Sequence, residues 1–323
     1  MLPTILAFLL FLILIGVVPV LSAFERRRQQ VKFIRDTLAG DRRPDNKRII
    51  ASLSTVPDRI GNLEPTLLCL LNQTRPPDEI VIAMPDFSVR EQKPYVVPKY
   101  LESMPRLNIL RCGKDWGPAT KFIPAIQAER EAGRADTLIM VVDDDRTYPR
   151  DALETYIHYS RELPDAALCL RGAAMPSSLD WDDAKMVHGK NLREPRPVAV
   201  VTGCGSYLVQ PRFFDESLWD YSRAPQVAFV IDDIWISACL SRRAVKRYVV
   251  PASGVMRSVL RQQWTVSLNK IPRRQRLNNE TIAFFRDTWN IFRPVSSSPV
   301  ATATRWLRLT VRKARGISTG WRM

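Results

Sequence analysis

The run Thr137-Leu138-Ile139-Met140-Val141-Val142 stops at Asp143-Asp144-Asp145 and then turns through Arg146-Thr147-Tyr148-Pro149. Six consecutive apolar or β-branched residues predict a buried strand. Three adjacent carboxylates cannot follow it into the core, because unpaired buried charge is too costly. They must face solvent or a cation. Open α/β sheets bind ligands beyond the carboxyl ends of their strands. Hard oxygen ligands clustered there suit Mg²⁺ or Mn²⁺, which in turn suits a diphosphate. A lone triplet of this kind is an acidic loop; here the neighbouring segments favour a site.

Those segments alternate between two periods. Arg48 to Leu53 is expected as a first strand, running into the polar turn Ser54-Thr55-Val56-Pro57-Asp58-Arg59. Leu63, Leu67, Leu70 and Leu71 predict a helix over Leu63 to Gln73, stopped by Thr74-Arg75-Pro76-Pro77. Glu79 to Met84 is a second strand, and the short connections make the unit a parallel, right-handed βαβ. Asn108 to Arg111 offers a third strand, and Pro118 to Ala132 a helix entered through Asp115-Trp116-Gly117-Pro118. Beyond the acids, a helix over Asp151 to Arg161 and a strand over Ala166 to Arg171 are expected, then a polar, irregular stretch over 172–197. Val198 to Val209 is two β runs broken by Gly203-Cys204-Gly205, which marks a bulge or a close backbone approach. Val227 to Ile231 leads into Asp232-Asp233-Ile234-Trp235-Ile236 and a helix to Arg242. The fold class is α/β, a Rossmann-like, mostly parallel sheet flanked by helices.

Charge is unevenly placed. The net +15 sits almost wholly after residue 240, where 18 Lys/Arg face only Glu280 and Asp287, leaving 30 basic and 31 acidic residues before it. Such asymmetry points to a polyanion, either nucleic acid or an anionic membrane surface. The five cysteines, Cys69, Cys112, Cys169, Cys204 and Cys239, show no metal-site spacing and are expected as small core hydrophobes in a reducing compartment.

Met1 to Phe24 carries no charge and is long enough to span a bilayer as a helix. It lacks a basic n-region, and Arg26, Arg27 and Arg28 follow at once, which favours an uncleaved single-pass anchor with the body cytoplasmic. The expected organisation is an anchor over 1–24, a juxtamembrane helix and linker over 25–46, a catalytic domain over 47–245 and a basic extension over 246–323. In that extension Ala301 to Arg315 sets Trp306, Leu307 and Val311 opposite Arg305, Arg308 and Arg312, the pattern of a helix lying in a lipid interface. The region 241–276, with ten basic residues and no acid, is a second stretch for a membrane or an anionic acceptor. No zinc motif, RNP-like strand or basic heptad region accompanies the charge, so membrane lipids are favoured over nucleic acid.

Taken in order, these pieces resemble the GT-A fold glycosyltransferases. Ser52, Arg59, the Leu-rich helix, Asn72-Gln73-Thr74 and Pro76-Pro77-Asp78-Glu79-Ile80-Val81 look like the nucleotide-binding start of the large inverting family that includes cellulose and hyaluronan synthases. Asp143-Asp144-Asp145 lies where that fold carries its DxD motif. Gly203-Cys204-Gly205-Ser206-Tyr207, followed by Asp232-Asp233-Ile234-Trp235-Ile236, is similar to the acceptor loop and acidic pair of inverting GT-A enzymes. The resemblance spans roughly residues 47–245.

It implies transfer of a hexose-type sugar from a nucleoside diphosphate to a hydroxyl acceptor, a saccharide or a lipid-linked one, as in polysaccharide biosynthesis. Asp145 and Asp143 would hold Mn²⁺ or Mg²⁺ to neutralise the leaving diphosphate. Ser52, Arg59, Lys121, Asp143 and Asp144 would line the donor side; Gly203, Gly205 and Trp235 would line the acceptor side. Asp233, or else Asp232, would take the acceptor proton. Surface cations for Arg59 and Lys121, a boundary role for Trp116, and a core role for Trp235 are the plainer readings. His158 is expected on a helix face and His188 in a loop, so no histidine follows to complete a metal shell. Asp180-Trp181-Asp182-Asp183 is expected as a solvated loop edging the acceptor cleft. A nucleotidyl- or phosphotransferase using the same acids, and a non-catalytic membrane-associated binding protein, are the competing functions.

Overall fold

The computed structural model describes residues 2–41, 46–259 and 274–289, with side chains from residue 17 onward. Helix α1 (Leu2–Gly40) leads to strand β1 (Ile49–Ser54), helix α2 (Glu64–Leu71) and strand β2 (Glu79–Pro85). A short ribbon follows, β3 (Phe87–Ser88) with β4 (Lys93–Pro94), then α3 (Lys99–Glu102) and β5 (Leu107–Cys112). Helix α4 (Ile123–Glu131) precedes β6 (Leu138–Val141), β7 (Arg146–Thr147) and α5 (Ala152–Glu162). Strands β8 (Ala166–Cys169), β9 (Arg171–Ala174), β10 (Lys185–His188), β11 (Arg196–Pro197), β12 (Val200–Val201) and β13 (Tyr207–Val209) follow. Helix α6 (Asp232–Arg242), β14 (Lys246–Val249), β15 (Arg257–Ser258) and α7 (Arg274–Phe284) complete the described chain.

The main sheet runs β11-β14-β8-β13-β6-β1-β2-β5. The pairs β6–β1, β1–β2 and β2–β5 are parallel, while β13 lies antiparallel between β6 and β8. This is the α/β architecture expected of a GT-A fold. One face buries Ile50, Ile139, Val141 and Val209 against Phe122 and Ile126 of the α4 segment and Trp235 and Leu240 of α6. The other buries Ile49, Leu53, Ile82 and Met140 against Leu63, Leu67 and Leu70 of the α2 segment and Tyr156 of α5. Covered on both faces, these strands have no polar side to show, which is why they read as continuous apolar runs. Leu67 is fully buried, so Leu67→Ala is expected to cost ~2–5 kcal/mol.

Several boundaries differ from the sequence expectation. The helix expected over 118–132 is a 3₁₀ turn, Gly117–Lys121, followed by α4, because Pro118 and Pro124 each restart the chain. The stretch 172–197 is not irregular: β9 pairs with β10 and β12 in a small three-stranded sheet, anchored by buried Ala173 and Val187. The folded unit continues past 245 as well. Strand β14 sits inside the main sheet, with the Arg247 side chain fully buried. Helix α7 packs Ile282 against α6, so the first part of the basic quarter is core.

The segment placed as a juxtamembrane linker is the second half of α1, and it docks on the body. Ile34 is buried, and Gln30 Nε2 donates to the carbonyls of Leu192 and Ala252. Among the described residues no helix is long and apolar enough to cross a membrane. Most of the expected anchor, residues 1–16, has no described side chains, and the amphipathic helix expected over 301–315 lies outside the described residues.

Candidate active site

The carboxyl ends of β1 and β6, the 3₁₀ turn before α4, the turn after β12 and the start of α6 converge on one cleft of about 720 Å³. Its polar lining includes Thr55, Arg59, Lys121, Asp143, Asp145 and Asp233. The sequence separates these residues widely; the crossovers of a parallel sheet bring their strand ends to one edge.

The three acids after β6 are not equivalent. Asp144 is buried, its Oδ2 accepting from Thr55 Oγ1 at 2.7 Å and its Oδ1 from Arg59 Nη1 at 3.0 Å. Burial pushes its carboxyl up to about 6, against the opposing pull of Arg59 and Thr55. Both oxygens accept a hydrogen bond, so Asp144 pins the loop after β1 at the edge of the cleft. Its neighbours point into the cleft. Asp143 Oδ1 lies 2.8 Å from Lys121 Nζ, and Asp145 pairs with Arg146 at 3.2 Å and Arg59 at 3.6 Å. The Asp143 N–H donates to the Tyr148 hydroxyl, a residue that sequence reasoning passed over as part of a turn.

Lys121 lines the cleft but is not the surface cation of the plainer reading. It is buried, 2.8 Å from Asp143 Oδ1 and 2.8 Å from Asp232 Oδ2. Burial works against its charge, but Asp143, Asp232 and Asp233 together hold its pKa well above the ordinary lysine value. The turn that carries it is pinned by Ser52, whose Oγ donates to the Lys121 carbonyl at 2.7 Å. Ser52 is fully buried there, and this bond replaces the donor contact expected of it.

Gly203 explains the break between the two β runs. A Cβ at this position would collide with Lys121 Nζ and sit 3.2 Å from Asp143 Oδ1 and Asp233 Oδ1. The Gly203 N–H donates to Asp233 Oδ1 at 2.8 Å. Gly205 likewise leaves no room for a side chain against Arg171. Neither glycine forms the cleft wall expected of an acceptor contact; both allow a close backbone approach. Ser206 then takes φ +61°, held by the Tyr156 hydroxyl, which bonds its carbonyl and its Oγ at 2.9 Å.

Asp232 and Asp233 occupy the first turn of α6, where the helix dipole favours negative charge. Asp232 is buried on Lys121. Asp233 lines the cleft, with Oδ2 making no hydrogen bond among the described residues. Burial and then the adjacent Asp232 push the Asp233 carboxyl up to about 7, with Lys121 pulling it down. Trp235 is core, not an acceptor platform: it is buried, stacks on Tyr221 at 3.8 Å and donates Nε1–H to the Leu218 carbonyl. Trp116 is buried in the same cluster. Trp181, from the expected solvated loop, does edge the cleft, beside Arg274 and Asn278 of α7. That α7 contribution was hidden in a stretch that looked merely basic.

The described residues hold no group of three or more His, Cys, Asp or Glu side chains placed to bind a metal. His158 bonds Asp41, far from the cleft, and His188 lies in β10. Of the acid triplet, Asp143 and Asp145 present hard oxygens to the cleft, each about a quarter exposed, 25% and 24%. Two carboxylates fit Mg²⁺ or Mn²⁺ arriving with a diphosphate, since such ions take one or two carboxylates and complete their shell with phosphate oxygens and water. A family model described as glycosyl transferase family 2 matches residues 58–219, half the chain, and covers Arg59, the acid triplet and the glycine turn. No curated protein matches the chain.

Proposed function

The chain belongs to glycosyl transferase family 2, and on that premise we propose that it transfers the sugar of a nucleoside-diphosphate donor to a hydroxyl acceptor by a single, inverting displacement. One observation carries this reading: Asp233, with a free oxygen and a pKa raised to about 7, shares a cleft with the Asp143–Asp145 acids. A carboxylate poised near neutrality is suited to accept a proton from an attacking hydroxyl. The Gly203 N–H fixes its orientation. Direct attack inverts the anomeric carbon and needs no covalent nucleophile.

On the donor side, Asp143 and Asp145 would hold a Mg²⁺ or Mn²⁺ ion, which when bound neutralises charge developing on the leaving diphosphate. Lys121 keeps Asp143 and Asp232 at fixed positions and anchors the acids of the two halves to each other. Asp144 and Thr55 hold Arg59 at the cleft wall, where its charge faces the donor. Attachment to a membrane belongs to the same reading. The first 24 residues are uncharged and Arg26-Arg27-Arg28 follow, which supports a cytoplasmic body beside the bilayer and a saccharide or lipid-linked acceptor.

The test is a panel of nucleotide sugars offered to the full chain with saccharide and lipid-linked acceptors, reading nucleoside diphosphate released. One donor is expected to turn over in an acceptor-dependent way, and Asp233→Asn to stop it. Nucleotide binding without turnover of any donor would leave a binding protein and sink the proposal.

A further inference from the structure

A second cavity, about 1250 Å³, lies between α1 and the body, on the other side of the β7–β15 ribbon from the cleft. Arg26, Arg27 and Arg35 of α1 line it, with Lys190 and Arg193 across the groove and Arg257 of β15 at its floor. Arg26, Arg27, Arg35, Lys190 and Arg257 are exposed and take part in no ion pair among the described residues. Arg193 is held in place, its guanidinium over the Phe33 ring at 4.7 Å and donating to the Gln29 carbonyl. The two acids of the lining are already engaged: Asp151 accepts from Ser253 and Glu154 from Thr74. The groove lining therefore carries seven basic side chains against these two acids, a net cationic cavity.

Its neighbour on α1 is apolar. Val17, Val18, Val20, Leu21 and Phe24 stand exposed on the turns just before Arg26, between 46% and 69% accessible. An exposed apolar helix that runs directly into a basic cavity matches one ligand chemistry, an anionic phosphate carried on an apolar chain. We propose that this groove binds the phosphate headgroup of an anionic membrane lipid, with its acyl chains along residues 17–24 of α1. The inference is independent of what the cleft transfers.

The site abuts the cleft through its shared wall. Thr147 faces the groove and its neighbour Arg146 faces the cleft, as successive strand residues must. Arg257 pairs in register with Thr147, and Arg146 pairs with Asp145. A headgroup held by Arg257 thus steadies the ribbon next to Asp145, whose carbonyl accepts from the Val259 N–H at 3.0 Å.

The experiment uses the full-length chain in non-ionic detergent and reads binding by titration calorimetry. Its probes are two water-soluble short-chain lipids, dihexanoyl phosphatidylglycerol and dihexanoyl phosphatidylcholine, with inorganic phosphate as the headgroup-only arm. Phosphatidylglycerol is expected to bind, phosphatidylcholine not, and inorganic phosphate far more weakly. R26Q/R27Q/R257Q should lose ~100-fold in affinity for phosphatidylglycerol, the combined worth of three cations near an anionic surface. The corresponding lysine variant should keep it. Equal binding of the two lipids, inorganic phosphate as tight as phosphatidylglycerol, or undiminished affinity in the glutamine variant would each overturn the proposal. The two-lipid comparison needs no variant, so misfolding cannot shield it.

Discussion

The Lys121 ammonium and the Asp232 carboxylate form a buried ion pair at 2.8 Å, and the same ammonium reaches Asp143 at the same distance. Removing it would strand two carboxylates in a confined space. Breaking such a buried pair from one side costs roughly 3–5 kcal/mol. Lys121→Met, which preserves the chain length, is expected to lower stability by that amount in denaturant melts. A loss below about 1 kcal/mol would be that of an exposed pair and would contradict the cage.

As the proposed base, Asp233 acts only in the transition state. Asp233→Asn keeps the size and the Gly203 contact but cannot take a proton. It should bind nucleotide sugar normally and transfer at least ~100-fold more slowly, the lower end of what a positioned base contributes. Donor affinity by calorimetry and turnover by nucleotide release separate the two. If Asp232→Asn alone were silent in binding and dead in transfer, the neighbours would exchange roles.

The pH profile follows with a definite sign. The proposed base works ionised, and burial with Asp232 raises the Asp233 pKa to about 7. As pH falls through that value the carboxyl takes a proton and activity is lost. The acid limb of kcat/KM, which reports the free enzyme, is therefore expected near neutrality and not in the ordinary carboxylate range. A limb near pH 4 to 5 would show an unperturbed carboxylate and remove Asp233 as the base.

Gly203→Ala tests the close approach. The added methyl would press on Lys121, Asp143 and Asp233 together. Displacements of about 1 Å in a reacting constellation cost up to ~100-fold, so transfer is expected to fall by ~10-fold or more. Gly61→Ala, which meets nothing within 4 Å, is the control and should be neutral.

Metal removal addresses the donor acids. Asp143 and Asp145 offer two carboxylates, so the ion should bind tightly only with nucleoside diphosphate present. Transfer is expected to stop in excess EDTA and return with Mn²⁺. In Asp145→Ala, added Mn²⁺ should no longer raise nucleoside-diphosphate affinity in calorimetric titrations. Full turnover in chelator would eliminate the metal role.

The sheet was readable because its central strands are buried on both faces: Ile49–Ser54, Glu79–Pro85 and Leu138–Val141 are mostly apolar runs. The acids were readable because charge at the end of such a run has nowhere to hide. What escaped was everything decided by distant partners. Lys121 looks like any helix-flanking cation until Asp143 and Asp232 close on it. Asp144 is indistinguishable in sequence from Asp143, and only Thr55 and Arg59 turn it inward. Arg247 hides a core strand inside a basic stretch because its long side chain is buried among β-sheet neighbours and donates to the Val245 carbonyl. The strands in 172–197 are short and half polar, so no periodicity announced them.

The placement of β13 between β6 and β8 has a consequence for synthesis. A chain emerging from the ribosome makes β6 and β8 first, and the strand that joins them arrives only with Tyr207–Val209. Until then the nascent protein presents Leu138–Val141, four apolar residues, with one row of backbone groups unpaired. A bare apolar edge of that kind recruits strands from other chains. The three aspartates beside it are the kind of flanking charge that discourages such pairing. The acids at the edge of the later cleft therefore also guard the half-made sheet, and neutralising all three should lower soluble yield before it is seen in any assay of transfer.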